Sequence, residues 1–309
     1  MSHPPIRIAL VGMGKIARDQ HVPAIAGDGA FALAATVSPH GSGIDGVQHF
    51  TSQDEMLQGA EVDAVALCTP PQVRFELAVA ATAAGKHVFL EKPPGASLSE
   101  VAALEQMAAA AGVTLFASWH SRHAAGVEPA RAWLAGKTIH RAHICWREDV
   151  RHWHPGQAWI WQAGGLGVFD PGINALSIAT RIWPQPLYLE SATLQVPANR
   201  EAPIAADLML RDAAGTQVSV DLDWRQTGKQ TWDITVETDA GTLTLSDGGA
   251  VFSADGETRR APDREYPLLY ARFAELVQTR TSECDIAPLR LVADTFLRGQ
   301  RETVEAFVE

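Results

Sequence analysis

Through its first third the chain alternates short apolar runs with alanine-rich stretches of mixed polarity. IRIALVG, FALAATVS, AVALCTP, HVFLEKP and VTLFASWH have the length and residue content of buried strands. Helical patterns separate them, from Lys15 to Ala26, in a short segment near Glu55, from Val73 to Ala84 and from Ser97 to Ala111. This rhythm predicts five strands lying parallel in one sheet, half or more of a doubly wound fold. Ser97 followed by Glu100 reads as a capping box and Gly112 as a C-terminal stop, so both ends of the fourth helix are specified locally.

The texture changes after about His120. A helix from Val127 to Leu134, a strand-like AHICWRED, a loop rich in Trp and His, and a second helical stretch after Gly167 come first. From Leu187 to Ser253 the segments LYLESATLQV, ADLMLRDAAGTQVSVDLDW, WDITVETDAGTLTLS and AVFSADGE alternate as successive strands, with Asp-Ala-Gly and Asp-Gly-Gly turns predicting hairpins. Two helices, from about Glu265 to Thr279 and Leu289 to Ala306, close the chain, either covering the sheet or returning to the first domain. The expected architecture is α/β plus α+β. Residues 1–121 form a Rossmann dinucleotide-binding domain, and residues 122–309 form a substrate and catalytic domain on a mostly antiparallel open sheet.

Composition narrows the function. A 309-residue chain with 46% hydrophobic content supports two cores. Its 25 Lys and Arg against 36 Asp and Glu give a net charge of -11, which disfavours nucleic acid and anionic membrane as partners. The absence of an apolar run of about 20 residues and of a signal-like opening predicts a cytosolic protein. Cys68, Cys145 and Cys284 have no metal-ligand spacing and read as buried small hydrophobes rather than a disulfide framework.

Val11-Gly12-Met13-Gly14-Lys15-Ile16-Ala17 matches G-x-G-x-x-G/A, directly after the first strand and opening the first helix. Gly12 permits the tight turn, Gly14 lets pyrophosphate approach backbone N–H groups, Lys15 and Ile16 open the helix, and Ala17 keeps it close to the sheet. An acid usually ends the second strand of such folds and meets the adenosine ribose; here the residues are Ser38, Pro39 and His40. Without that acid NADP is tolerated, with Ser38 and His40 as donors to its phosphate, and NAD is the alternative cofactor. Thr69, Pro70 and Pro71 end the third predicted strand where loops edge the cofactor, and they also fit a simple Pro-started helix.

Glu91 and Lys92 stand at the carboxyl end of the HVFLEKP strand, where ligands of doubly wound sheets bind. A lysine beside a positive nicotinamide ring can exchange a proton with a reacting hydroxyl; an ordinary solvated lysine is the other reading. In GGLGVFDPGIN, Asp170 and Asn174 are four apart and share a face if helical, although Asp before Pro also suits a helix cap. Between these segments runs WREDVRHWHPGQ, followed by Trp159 and Trp161. Carboxylate and imidazole acceptors beside indole rings suit a monosaccharide, and a core tryptophan cluster with surface charges accounts for the same residues. No spacing here is that of a zinc motif.

Together the GMGKIA turn, the EKP strand end and GGLGVFDPGIN resemble the Gfo/Idh/MocA oxidoreductase family over nearly the whole chain. Within it, GKIARDQHVPAI, EKPPGASL, ASWHSRHA, VEPARAWL and EDVRHWHPGQAWIW are similar to the branch of bacterial aldose 1-dehydrogenases that act on L-arabinose and D-galactose. That resemblance implies oxidation of an anomeric hydroxyl to an aldonolactone, with NADP or NAD as acceptor. It implies Lys92 as catalytic lysine and Asp170 with Asn174 as the catalytic pair. It also assigns His120, Glu148, Trp153, His154 and Trp232 to the sugar, beside Lys92, Asp170 and Asn174; Glu91, Lys92 and His120 are also expected at the cofactor edge. Many members carry His where this chain has Asn174, which sets it apart from a Lys-Asp-His apparatus. Pro39 stands where an Arg would strengthen binding of the NADP phosphate. The remaining alternatives are a dehydrogenase of another sugar or polyol, a sugar–sugar oxidoreductase, and a non-catalytic sugar-sensing regulator. A homo-oligomer through the C-terminal sheet is the expected assembly, if one forms.

Overall fold

The computed structural model describes residues 4–308. Among the described residues it divides into two compact units, residues 4–120 with 265–286, and residues 121–264 with 287–308.

The first unit is a six-stranded parallel sheet in the order β3-β2-β1-β4-β5-β6. Its strands are β1 (Ile6–Val11), β2 (Phe31–Val37), β3 (Gln48–Phe50), β4 (Ala64–Leu67), β5 (His87–Leu90) and β6 (Leu115–Ala117). The five expected strands are present; β3 is additional. It is three residues of partly polar, partly exposed chain held only by pairing to β2, so no periodicity betrays it.

Successive side chains of β1 face opposite ways, and each face buries a different helix set. Ala9 and Val11 join Val65, Leu67, Val88 and Leu90 against Ala78 and Leu104 of the helices Pro71–Ala83 and Leu98–Ala111. Ile8 and Leu10 join Phe89 and Phe116 against Leu269, Tyr270 and Phe273 of the helix Glu265–Thr279. That helix therefore belongs to the first unit, the second of the two placements open to it from sequence, while the helix after it stays with the second unit. The aromatic face of Glu265–Thr279 is the cause, with the Tyr270 ring 5.3 Å from Phe89 and the Phe273 ring 5.9 Å from Phe116.

The expected capping box is formed by Ser97 and Glu100, and Gly112 closes that helix in the left-handed conformation. The first helix departs from expectation. Its middle, Ala17–His21, is a π-helical turn preceding the α-helix Val22–Gly27. Such turns are found largely at functional sites, and this one ends on a wholly buried His21.

The second unit is a nine-stranded mixed sheet, mostly antiparallel, in the order β14-β13-β12-β11-β7-β10-β9-β8-β15. Its strands are β7 (Ile139–Arg147), β8 (Tyr188–Pro197), β9 (Ala205–Arg211), β10 (Gln217–Asp223), β11 (Thr231–Thr238), β12 (Gly241–Ser246), β13 (Val251–Ala254), β14 (Glu257–Arg260) and β15 (Gln300–Val304). Central β7 runs parallel to β10 and antiparallel to β11. The last helix spans Ala287–Arg298 rather than reaching Ala306, and it lies in this unit. Gly299 ends it, and the polar QRETV that follows becomes β15, parallel to β8 on the sheet edge. The three cysteines are free and half-buried rather than fully buried.

Candidate active site

In the first unit the expected cofactor residues converge at the carboxyl ends of the strands. Gly12, Gly14, Lys15 and Ile16 follow β1, Ser38 and His40 follow β2, Thr69, Pro70 and Pro71 follow β4, Glu91 and Lys92 follow β5, and His120 follows β6. The two glycines serve different purposes. Gly12 has φ +93°, and a Cβ there would lie 3.0 Å from the Cys68 backbone and from the Thr69 methyl. A Cβ on Gly14 would meet nothing within 4 Å, so that side of the turn stays open. Lys15 is salt-bridged to Asp19 one turn on.

The EKP segment is fixed from behind. Arg74 is buried and donates to the carbonyls of Thr69, Glu91 and Pro93. Glu91, expected at the cofactor, has its carboxylate in the protein interior instead. It accepts from the Lys92 backbone N–H at 2.8 Å, from the Tyr266 hydroxyl at 2.7 Å and from His21 Nε2 at 3.1 Å. His21 Nδ1 meets the Tyr270 hydroxyl at 2.8 Å. Burial works against charge on both groups, yet Cys68 and Glu91 hold the His21 pKa above its ordinary value, and His21, His120 and Tyr266 hold the Glu91 pKa below its own. Both shifts favour the charged pair, with His21 Nε2 donating to the Glu91 carboxylate. Lys92 thus sits on a backbone clamped by two buried charged side chains. His120 Nδ1 contacts Glu265 Oε2 at 2.5 Å and its ring stacks on Tyr266. Burial lowers the His120 pKa, Glu265 more than offsets it, and the nearby Lys92 charge opposes the net rise. His21, Arg74, Tyr266, Tyr270 and Glu265 escaped the sequence reading because no motif spacing links them.

The second unit brings its expected residues into one polar and aromatic cluster. Glu148, just past β7, is 3% exposed, and both its oxygens are claimed by indoles: Trp224 Nε1 at 3.2 Å and Trp232 Nε1 at 2.9 Å. The Trp232 ring stacks on Trp146 at 5.7 Å and tilts against Trp153 at 5.4 Å. His154 packs on Trp224 at 5.3 Å and places Nε2 3.4 Å from Asp170 Oδ2. Trp224, missed from sequence, joins the two halves of the cluster; only its place after a strand distinguished it. The segment forms a packed tryptophan core, and that core carries the polar groups of Glu148 and His154.

Asp170 and Asn174 lie on the helix Phe169–Ile182, so they share a face. Val168, not Asp170, occupies the cap position, and no side chain caps that end. The buried Asp170 carboxylate is therefore spent on His154 rather than on capping, with Asn174 half-buried one turn beyond. Gly167 sets up this helix start with φ +55°, where a Cβ would be 2.3 Å from the Pro203 carbonyl oxygen.

The residues of the first unit fit a dinucleotide. The open side of Gly14 is matched by two solvent-shielded hydroxyls, Thr69 Oγ1 and Ser118 Oγ, that lack hydrogen-bond partners at the ends of β4 and β6. Among the described residues no group of three His, Cys, Asp or Glu side chains is disposed to hold a metal. Among the described residues no helix is long and apolar enough to cross a membrane.

A six-stranded sheet in this order, with a glycine-rich first turn and a second unit carrying a carboxylate-rich aromatic cluster, defines an NAD(P)-binding oxidoreductase of two-domain type. The profile of the Gfo/Idh/MocA oxidoreductase family, NAD-binding Rossmann fold, matches residues 6–118. Galactose 1-dehydrogenase of Pseudomonas fluorescens is 48% identical over 310 residues, covering 99% of each chain. A 1,5-anhydro-D-fructose reductase of Ensifer adhaerens is 32% identical over 141 residues, 44% of this chain and 42% of that one. The crystal structure of a D-galactose-1-dehydrogenase protein from Rhizobium etli superposes with TM-score 0.96 at 58% identity, covering 100% of this chain and 99% of that one. A 3-ketoreductase from Actinomadura kijaniata, solved with NADP, shares the fold at TM-score 0.84 and 19% identity, covering 97% and 99%. The chain belongs to the Gfo/Idh/MocA oxidoreductase family and is a homologue of galactose 1-dehydrogenase.

Proposed function

We propose that this protein oxidises the anomeric C1 hydroxyl of a free aldose, D-galactose or L-arabinose, to the aldonolactone, with NADP as acceptor and NAD as the alternative. The observation that carries the reading is the buried Asp170 carboxylate, held by His154 beside a tryptophan cluster organised on Glu148. Indole faces suit the C–H face of a sugar ring, while Asp170, Asn174 and His154 suit its hydroxyls. Whole-chain identity to galactose 1-dehydrogenases supports the same substrate class.

The nicotinamide, when bound, accepts the two electrons and the hydrogen from C1, and the hydroxyl proton must go elsewhere. Lys92 Nζ and Asp170 take that proton from the C1 oxygen as the carbonyl of the lactone forms, and Asn174 orients the sugar. Gly14, Thr69 and the segment after β2 hold the dinucleotide. Each turnover converts aldose and oxidised cofactor into lactone, reduced cofactor and one proton.

The test is a panel of free aldoses with NADP and NAD side by side, followed by the near-ultraviolet absorbance of reduced nicotinamide. Steady reduction with D-galactose or L-arabinose, and not with alditols, is the expected result. No reduction with any free aldose would overturn it.

A further inference from the structure

The glycine-rich turn and the segment after β2 are tied together by the side chain one position beyond G-x-G-x-x-A. Arg18 lies one turn into the first helix, its backbone N–H bonded to the Gly14 carbonyl at 3.2 Å. Its Nη2 donates to the Ser42 carbonyl and, at 3.3 Å, to the Ser42 hydroxyl. Ser42 belongs to the turn leaving β2, which Ser38 closes by accepting the Gly41 N–H at 3.0 Å. A Cβ on Gly41 would lie 2.7 Å from Ser38 Oγ and 3.8 Å from the Met13 Cβ, so this turn rests beside the glycine-rich one. Arg18, Ser38 and Ser42 therefore share one neighbourhood where the strand end supplies no carboxylate.

Charge decides what such a place accepts. Lys15 is neutralised by Asp19, whereas the contacts of Arg18 are a carbonyl and a hydroxyl, which leave its charge uncompensated. Only Nη2 is engaged, and a guanidinium has five N–H donors in a fixed fork. Both serine hydroxyls act as acceptors in these bonds and keep their own O–H to donate. A preset guanidinium fork with two hydroxyl donors matches a phosphate dianion, whereas a neutral ribose hydroxyl offers the cation nothing comparable.

We infer that Arg18, with Ser38 and Ser42, is the seat of an adenosine 2′-phosphate, and that it compensates for Pro39 in selecting NADP over NAD. The inference rests on the dinucleotide reading above and adds to it the residue that sets cofactor preference.

Isothermal titration of the full chain with 2′,5′-ADP and with 5′-AMP, at low ionic strength, tests it without turnover. Wild type should bind 2′,5′-ADP at least about tenfold more tightly than 5′-AMP, and Arg18→Met should bring the two near parity with 5′-AMP affinity unchanged. Arg18→Gln, run in parallel, removes the same cation should the Met variant fail to fold, and circular dichroism verifies both. A wild-type preference that survives in a folded variant overturns the role of Arg18 and leaves the NADP reading standing. A wild type without preference for 2′,5′-ADP overturns the NADP reading and this seat with it.

Discussion

Lys92 and Asp170 reach their positions by different means. Lys92 takes its place from its backbone, through the Glu91 carboxylate and the Arg74 guanidinium, while Asp170 takes its place from the second turn position of a helix whose cap is another residue. Replacing Lys92 by Met should therefore leave the clamp intact, cutting turnover about 10²- to 10⁴-fold with cofactor affinity nearly unchanged. Asp170→Asn keeps the helix start, because no cap is lost, and should show a loss of the same order in a folded protein. Steady-state rates beside fluorescence titration of the cofactor and circular dichroism measure both. Near-normal turnover in either variant would remove that residue from the chemistry.

The first helix and the end of β5 are joined by one buried ion pair. Glu91→Gln leaves His21 facing a neutral amide inside the core, and breaking a buried pair in this way costs about 3–5 kcal/mol. The pH dependence follows from the shifts. With its pKa depressed, Glu91 contributes fully above its ordinary value of 4.5, and the contribution drains away as pH falls below it. With its pKa raised, His21 contributes fully below its ordinary value of 6.5 and progressively less as pH rises above it. The stability gap between wild type and Glu91→Gln, measured by urea unfolding, should thus be widest between these values and narrow on either side. A gap independent of pH from 4 to 9 would refute the ion pair.

The chain makes its first core from two distant stretches. Tyr266, Leu269, Tyr270, Phe273 and Leu276 are each buried against it. At about 1.5–3 kcal/mol for each large apolar side chain, their loss approaches the whole stability of a typical domain, about 5–15 kcal/mol. A fragment ending at His120 should accordingly lack a cooperative thermal transition, and joining residues 265–286 to it through a flexible linker should restore one. Calorimetry distinguishes the outcomes, and a cooperative transition in the shorter fragment would show that the first unit needs no second stretch.

What could be read in the residues themselves was local. Alternating apolar runs located five of the six strands of the first sheet, Ser97, Glu100 and Gly112 marked the ends of a helix, and the glycine spacing after β1 marked the turn expected to meet phosphate. Hairpin turns likewise exposed most of the second sheet. These features depend on neighbours a few positions apart, and their signals survive in one dimension. Tertiary structure alone decided which far-apart side chains satisfy one another: His21 with Glu91 and Tyr270, Trp224 and Trp232 with Glu148, Arg18 with Ser42, and an aromatic helix with the first core rather than the second. A buried polar group must find a partner wherever the fold brings one, and its identity depends on which elements become adjacent, which no spacing along the chain records.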